Sequence, residues 1–427
     1  MRYSNVLDAA HDSRRSPRVP QGTRRLQHRP DYENPALRLQ PLPVLRPIYL
    51  VAITTVLVQG CHMGSRVVAS LFAIKLGANP FEVGTLISVY SIFPLLLGVY
   101  SGRISDRLGP RRPMLLGTLV MGSGLLLPFM SPHLPTLYLS CILIGTGFVF
   151  FNVSNQTLGG ALGTAAERTH NFATLGLGYA AGHLFGPVLA GYAIEYLGHT
   201  YGYLIFSALT LVPAAAFAFD KRFEIRRVQA IRERSNTFAL LRRPLLRRAV
   251  IVSGLITTGW DLYGFYVPIY GHSIGLSAST IGNILGVFAI ATFVVRTLVA
   301  RLTRRLGIER VLRIAALCAA ALFVPFALIE YVPVLFALSF GIGLALGCSQ
   351  PLTLNLAYNY SPEGRAGEVA GLRLTINNIT HIGVPVASGA LAAALGVAPV
   401  FWTCAALLVI SGYMSRTTQS SEHIDRK

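Results

Sequence analysis

Apolar residues run along this chain in long blocks, broken by short polar or basic stretches. Neither the strict alternation of a half-buried strand nor the narrow stripe of a soluble amphipathic helix dominates. A bilayer core about 30 Å thick requires roughly 20 apolar residues per helix. Blocks of that length recur near 48–74, 81–102, 113–131, 134–158, 171–197, 200–219, 248–272, 277–300, 309–328, 331–357, 367–394 and 397–415. The pattern predicts an all-α integral membrane protein with twelve transmembrane helices.

Shifting the chain by 198 residues against itself shows how these helices are grouped. Without a gap, Gly77, Gly84, Arg107, Leu108, Gly109, Arg112, Gly145, His183, Pro187 and Gly191 fall on Gly275, Gly282, Arg305, Leu306, Gly307, Arg310, Gly343, His381, Pro385 and Gly389. One half-molecule is written twice, which predicts two pseudo-symmetric six-helix bundles side by side, the layout of many transporters. The expected organisation is a disordered basic tail at 1–45, bundles at 46–220 and 248–416, a basic linker at 221–247 and a second tail at 417–427. The linker mixes cations with Ile225, Val228, Ile231, Phe238 and Leu241 at near-helical spacing. That spacing fits both an amphipathic helix on the inner leaflet and a solvated basic connection.

Composition agrees with a lipid environment: 52% of the 427 residues are hydrophobic and 13% charged, with a mean hydropathy of +0.53. The net charge of +19 would suit nucleic acid if it were gathered on one soluble face, and it is not. Cations instead gather in alternate connections: Arg103, Arg107, Arg111 and Arg112 after the second block, Arg222 to Arg248 after the sixth, and Arg301, Arg304 and Arg305 after the eighth. The connections between them carry almost none. The positive-inside rule then places both termini in the cytoplasm of a multi-pass plasma (inner) membrane protein and argues against nucleic acid as a partner. The tail at 1–45 lacks the apolar core of a signal peptide. All five cysteines, Cys61, Cys141, Cys318, Cys348 and Cys404, lie in apolar blocks, where they act as small hydrophobes without metal-ligand spacing.

The most specific local pattern is the loop Gly102-Arg-Ile-Ser-Asp106-Arg107-Leu-Gly109-Pro-Arg111-Arg112. Gly102 permits close helix approach, Gly109 suits a sharp turn with positive φ, and Asp106 can cap or pair at a helix terminus. This loop resembles the signature of the major facilitator superfamily, and the resemblance extends over about 46–416, because a degenerate copy with Arg304 in place of the carboxylate runs from Ala300 to Arg310. The resemblance implies the twelve-helix fold and a latch at the cytoplasmic face, with Asp106 and Arg107 joining the two bundles while the carrier is open outward. Block five holds Gly182-His-Leu-Phe-Gly186-Pro187-Val-Leu-Ala-Gly191, similar to an element of the superfamily's exporters, with Ala190 replacing one glycine. Where its drug exporters often carry an arginine in block four, this chain has Cys141, so that arginine's role does not transfer.

Ionisable groups deep in a membrane cost at least about 2.5–3.5 kcal/mol each on insertion scales, so they mark candidate sites. Asp261 is the one carboxylate in the middle of a block; Arg66 lies well inside block one, a turn after His62. Blocks one and seven are repeat-mates facing each other, which suggests either an Arg66–Asp261 pair or Asp261 as a proton carrier. Arg373, Asn377 and His381 follow a four-residue spacing, and His183 is the repeat-mate of His381; a histidine titrating near neutral pH can couple transport to protons. Asn152, Asn155, Gln156 and Gln350 suit hydrogen bonding to a solute, and Tyr263, Tyr266 and Tyr270 form an aromatic wall at helical spacing. Helix-to-helix hydrogen bonding explains several of these equally well.

Together these features predict a monomeric secondary transporter working by alternating access, without metal or cofactor, that moves a small organic solute with protons. Two Arg and two His against one Asp favour an anionic or polar solute over a lipophilic cation. The block-five element favours efflux. An importer of a metabolite, organic anion or sugar is the alternative, and a non-transporting sensor on the same fold is the alternative of another class. Neither a Gly-x-x-x-x-Gly-Lys loop nor a nucleophile-base set points to an enzyme.

Overall fold

The computed structural model describes residues 47–162, 168–220, 223, 237–361 and 366–415. The two tails, and the linker apart from Phe223 and a 3-10 turn at Thr237–Arg242, lie outside the described residues. Described residues form thirteen α-helices: α1 Pro47–Lys75, α2 Pro80–Leu108, α3 Arg111–Met130, α4 Leu134–Ala161, α5 Arg168–Leu197, α6 His199–Phe219, α7 Pro244–Ser273, α8 Ala278–Leu306, α9 Ile308–Phe326, α10 Val332–Gly347, α11 Ser349–Asn359, α12 Ala366–Leu395 and α13 Ala398–Met414. They make twelve spans, because the tenth is built from α10 and α11.

That break corrects the expected continuous helix at 331–357 and has a local cause. Pro351 has no N–H, and its ring would clash with the carbonyl of Gly347 four residues earlier, so the helix opens at Cys348. Among the described residues, ten helices, with α10 and α11 taken together, are long and apolar enough to cross a membrane alone. Of the others, α9 carries Glu309, Arg310 and Arg313 in its first two turns, and α13 has only 17 residues.

Helix ends follow the same duplicated plan. Asn79 and Glu82 form a reciprocal capping box at the start of α2, while its repeat-mate Ser277 caps α8 through Thr280 N–H. The glycines with positive φ are Gly77, Gly109, Gly198, Gly275, Gly307 and Gly396, three pairs each 198 residues apart, at turns where a side chain would be strained. Packing repeats as well. A β-carbon on Gly145 of α4 would stand 2.2 Å from the Tyr90 carbonyl oxygen of α2, and one on Gly343 of α10 would stand 2.5 Å from that of Phe288 on α8. Lipid offers helices no hydrophobic reason to associate, so such small-residue contacts carry much of the association.

Within the first half α1 packs on α4, α5 and α6, and α3 on α4 and α6; within the second α7 packs on α12 and α13, and α9 on α10 and α13. The halves meet mainly where α2 lies against α12 and α5 against α8. One departure from symmetry positions the site. The α1–α5 contact is a glycine seam in which a β-carbon on Gly186 would stand 2.3 Å from the Gly60 carbonyl oxygen and one on Gly178 2.9 Å from that of Ala52. The equivalent α7–α12 contact has Thr258, Ile376, Thr380 and Val384 at the positions of Gly60, Gly178, Gly182 and Gly186. Side chains there hold the two helices apart.

Candidate functional site

The connections divide the molecule into a cation-rich end, with Arg103, Arg107, Arg301 and Arg305, and a cation-poor end formed by the α1–α2, α3–α4, α5–α6, α7–α8, α9–α10 and α12–α13 turns. At the cation-poor end both seams between the halves are closed backbone to backbone. A β-carbon on Gly84 would lie 2.3 Å from the Pro385 carbonyl oxygen and one on Gly389 2.7 Å from that of Pro80. In the other seam, one on Gly282 would lie 2.6 Å from the Pro187 carbonyl oxygen and one on Gly191 2.4 Å from that of Ala278. These are the same contacts at the 198-residue offset. Polar bonds reinforce them unequally: Ser88 Oγ donates to the Ile382 carbonyl at 2.8 Å, Ser279 N–H donates to Glu195 Oε2 at 2.9 Å, and Asn283 Nδ2 donates to the Tyr192 hydroxyl at 3.3 Å. Four turns along nearly the same face of α2 the contact is gone, since a β-carbon at Gly98 would meet no atom within 4 Å.

Midway along the helices the charged residues come together. His381 Nδ1 stands 2.5 Å from Asp261 Oδ2, joining α12 to α7, with the Asp261 side chain 4% and the His381 side chain 32% exposed. The expected Arg66–Asp261 pair is therefore corrected: the partner of Asp261 comes from its own half. Arg66 is half-buried, and among the described residues its guanidinium has no ion pair or hydrogen bond. His183 Nδ1 lies 2.8 Å from the Tyr179 carbonyl, a bond only its N–H form can donate, which aims Nε2 away from its own helix. Gln59 Nε2 approaches the same ring at 3.5 Å, and Trp260 meets it edge-on at 6.3 Å.

Three contributors escaped the sequence reading or were not given a role by it. His62 is stacked on Phe148 at 3.9 Å, within Coulombic range of Arg66, His183 and His381. Arg296 sits on the face of α8 that holds Gly282, has a 3.4 Å contact from Nε to the Gly347 carbonyl, and acts electrostatically on His183. Trp260, the repeat-mate of His62, packs against Phe288 at 5.0 Å. Arg296 was hidden by its proximity to the basic connection after α8, although about five turns from the helix start places it inside the apolar block.

Two uncharged networks flank this centre. In the first half, Asn155 Nδ2 donates to Thr55 Oγ1 and the Tyr179 hydroxyl, both at 3.0 Å, while the Tyr179 hydroxyl and Gln156 donate to Asn152 Oδ1 at 2.6 and 3.3 Å. In the second half, Arg373 donates to Ser253 Oγ and Gln350 Oε1 at 3.2 Å and to Thr353 Oγ1 at 3.3 Å, and Ser253 donates to Asn377 Oδ1 at 3.1 Å. The helix break at Cys348 brings Gln350 to this arginine. The tyrosines of α7 are placed differently from the expected open wall. Tyr263, Tyr266 and Tyr270 are buried, and their hydroxyls donate to the carbonyls of Ile284, Ser388 and Ile329 on neighbouring helices.

In the signature loop, Arg111 fastens the start of α3 to the end of α6 through the carbonyls of Phe217 and Ala218, at 2.7 and 2.6 Å. Gly109 has φ +80°, Gly102 is half-buried, and Arg107 and Arg112 are exposed. The side chain of Asp106 lies outside the described residues.

Comparison with known proteins gives a consistent result. Residues 51–383 match the profile of the Major Facilitator Superfamily. The chain is 24% identical over 321 residues to Multidrug resistance protein 2 of Bacillus subtilis, covering 72% of this chain and 79% of that protein. It is also 24% identical over 371 residues to Multidrug resistance protein MdtG of Dickeya zeae, covering 81% and 88%. Among solved structures, a bacterial homolog of the human lysosomal transporter Spinster, in its inward-facing and unoccupied conformation, superposes with a TM-score of 0.71 at 13% identity, over 87% of this chain and 97% of that one.

Proposed function

The chain belongs to the Major Facilitator Superfamily, a family of secondary transporters, and we propose that this member exports a small organic solute in exchange for protons. The observation that carries the reading is the Asp261–His381 pair. A carboxylate and an imidazole 2.5 Å apart, midway along α7 and α12, form a unit that can take up and release a proton at membrane depth. Basic side chains on other helices are His62 and Arg66 of α1, His183 of α5, whose ring meets Trp260 next to Asp261 in the chain, and Arg296 of α8. A proton taken up by the pair changes the charge of the membrane interior, so an arriving charge on the solute and the proton state of the pair are coupled.

Alternating access is supported by the seams. With the cation-rich end in the cytoplasm, as the positive-inside rule directs, the closed glycine contacts support an inward-facing reading of the described conformation. Release outward then requires the α2–α12 and α5–α8 seams to part, with Asp106 and Arg107 latching the opposite end. Efflux is favoured by the two curated relatives, both named for multidrug resistance, and by the Gly186-Pro187 element in the α5–α8 seam. The test is a solute screen on reconstituted protein under an imposed pH gradient. The reading predicts that at least one organic solute accumulates in the acidic compartment and that collapsing the gradient stops it. Flux equal with and without the gradient would refute proton coupling.

A further inference from the structure

We propose that Arg66 of α1 and Arg296 of α8, with His183 between them, form an anion site in the membrane interior, and that the exported solute is a monovalent organic carboxylate with an apolar body. This rests on the transport reading above and names its substrate class. Charge supplies the first argument. Among the described residues, the side chains held deep in the spans include Arg66, Arg296, Arg373, His62, His183 and His381 but one carboxylate, Asp261, already engaged by His381. Arg373 is held by Ser253, Gln350 and Thr353. Among the described residues Arg66 has no such partner, and Arg296 has one long contact, to the Gly347 carbonyl at 3.4 Å. Guanidinium stays charged at any working pH, so this positive charge cannot be relieved by losing a proton. In a medium of low dielectric it calls for a mobile negative partner.

Buried polar atoms point to the same place. Among the described residues His62 Nδ1 and Gln59 Oε1 have no hydrogen-bond partner, although His62 is 7% and Gln59 3% exposed. His62 stands one helical turn before Arg66, and Gln59 touches the His183 ring. His183 stands on α5, which packs against both α1 and α8, the helices that carry Arg66 and Arg296. Arg296 stands about four turns beyond Gly282 on nearly the same face of α8, toward the cation-rich end. Trp260, Phe148 and Phe288 supply apolar surface beside these groups and account for the apolar body. Asp261, close by on α7, disfavours a second negative charge and hence a dianion.

The test uses the full-length protein in detergent with Trp402→Phe, which leaves Trp260 as the remaining tryptophan of two. Its fluorescence is titrated with salicylate, other aromatic and aliphatic monocarboxylates, benzamide and tetraphenylphosphonium. The proposal predicts quenching by monocarboxylates and a loss of affinity of about tenfold or more in Arg66→Gln and in Arg296→Gln, with part of it restored in Arg66→Lys. Each variant is first shown monodisperse, so that lost binding is not lost fold. Equal carboxylate affinity in the parent and both Gln variants, no quenching by any carboxylate, or preference for the phosphonium or the amide would overturn it. A parallel pH-gradient flux assay separates the two levels. Transport of tetraphenylphosphonium but of no carboxylate would sink the anion site and leave the exporter reading standing, whereas no solute of any class moving would sink the exporter reading itself.

Discussion

Gly84→Ala should drive the carrier out of the conformation described here. The added methyl would sit 2.3 Å from the Pro385 carbonyl oxygen, against 3.4 Å for an ordinary contact, so α2 and α12 must separate by about 1 Å. The obstacle is backbone, and no side chain can swing aside. Overpacking of this kind costs about 1–3 kcal/mol, and here it applies only while the seam is closed, which corresponds to a shift of roughly 5- to 150-fold toward the seam-open state. Gly282→Ala should act alike, since its methyl would meet the Pro187 carbonyl at 2.6 Å. The two seams share no partner, so the double variant should add the single effects. The assay is the rate at which an impermeant maleimide, applied from the side of the cation-poor end, labels Ser88→Cys, a position 2% exposed one turn from Gly84. Gly98→Ala on the same helix, where a methyl meets nothing within 4 Å, serves as the control and should leave the rate unchanged. If Gly84→Ala labels no faster than that control, the seam is not what holds the cation-poor end shut.

Three further outcomes follow from individual contacts. Glu195→Gln removes the charge from the bond to Ser279 N–H at the start of α8, and should speed labelling of the same reporter, less than Gly84→Ala does, because the bond is exposed while the glycine contacts persist. Tyr266→Phe leaves the buried Ser388 carbonyl without its donor and should cost roughly 1–3 kcal/mol in thermal unfolding while solute affinity is retained; a fall in affinity at constant stability would return this tyrosine to the binding surface. If Asp106 belongs to the proposed latch, Asp106→Asn should bias the carrier toward the inward-facing state, seen as slower labelling of Ser88→Cys from the cation-poor side, and unchanged labelling would count against the latch.

The features legible in the sequence were those set by short-range physics. A 198-residue offset found in side-chain identities reappears in backbone geometry, in Gly77 with Gly275, Gly109 with Gly307 and Gly198 with Gly396, because each turn needs a positive φ that other residues resist. The break at Cys348 had its cause in plain view, Pro351 four residues after Gly347, but apolarity alone ran through it. Partner choice was harder. Asp261 had several basic candidates on facing helices, and which one reaches it depends on how far apart α7 and α12 are held by Thr258, Ile376 and Thr380 in place of glycines. For the tyrosines of α7, helical spacing identified a common face but not what that face meets; α7 is buried on nearly every side, so their hydroxyls reach neighbouring carbonyls. Tyr179 links Asn152, Asn155 and His183, and its signal was a position one turn before that histidine.

Proton-driven export, as proposed, requires Asp261 and His381 to act together as the proton carrier. Comparing the parent with Asp261→Asn in vesicles, with solute flux and proton release followed through a trapped pH dye, tests this. The variant should lose accumulation driven by the pH gradient and the accompanying proton release, while solute exchange at equal pH continues. Gradient-driven accumulation and proton release at parental levels in Asp261→Asn would contradict it.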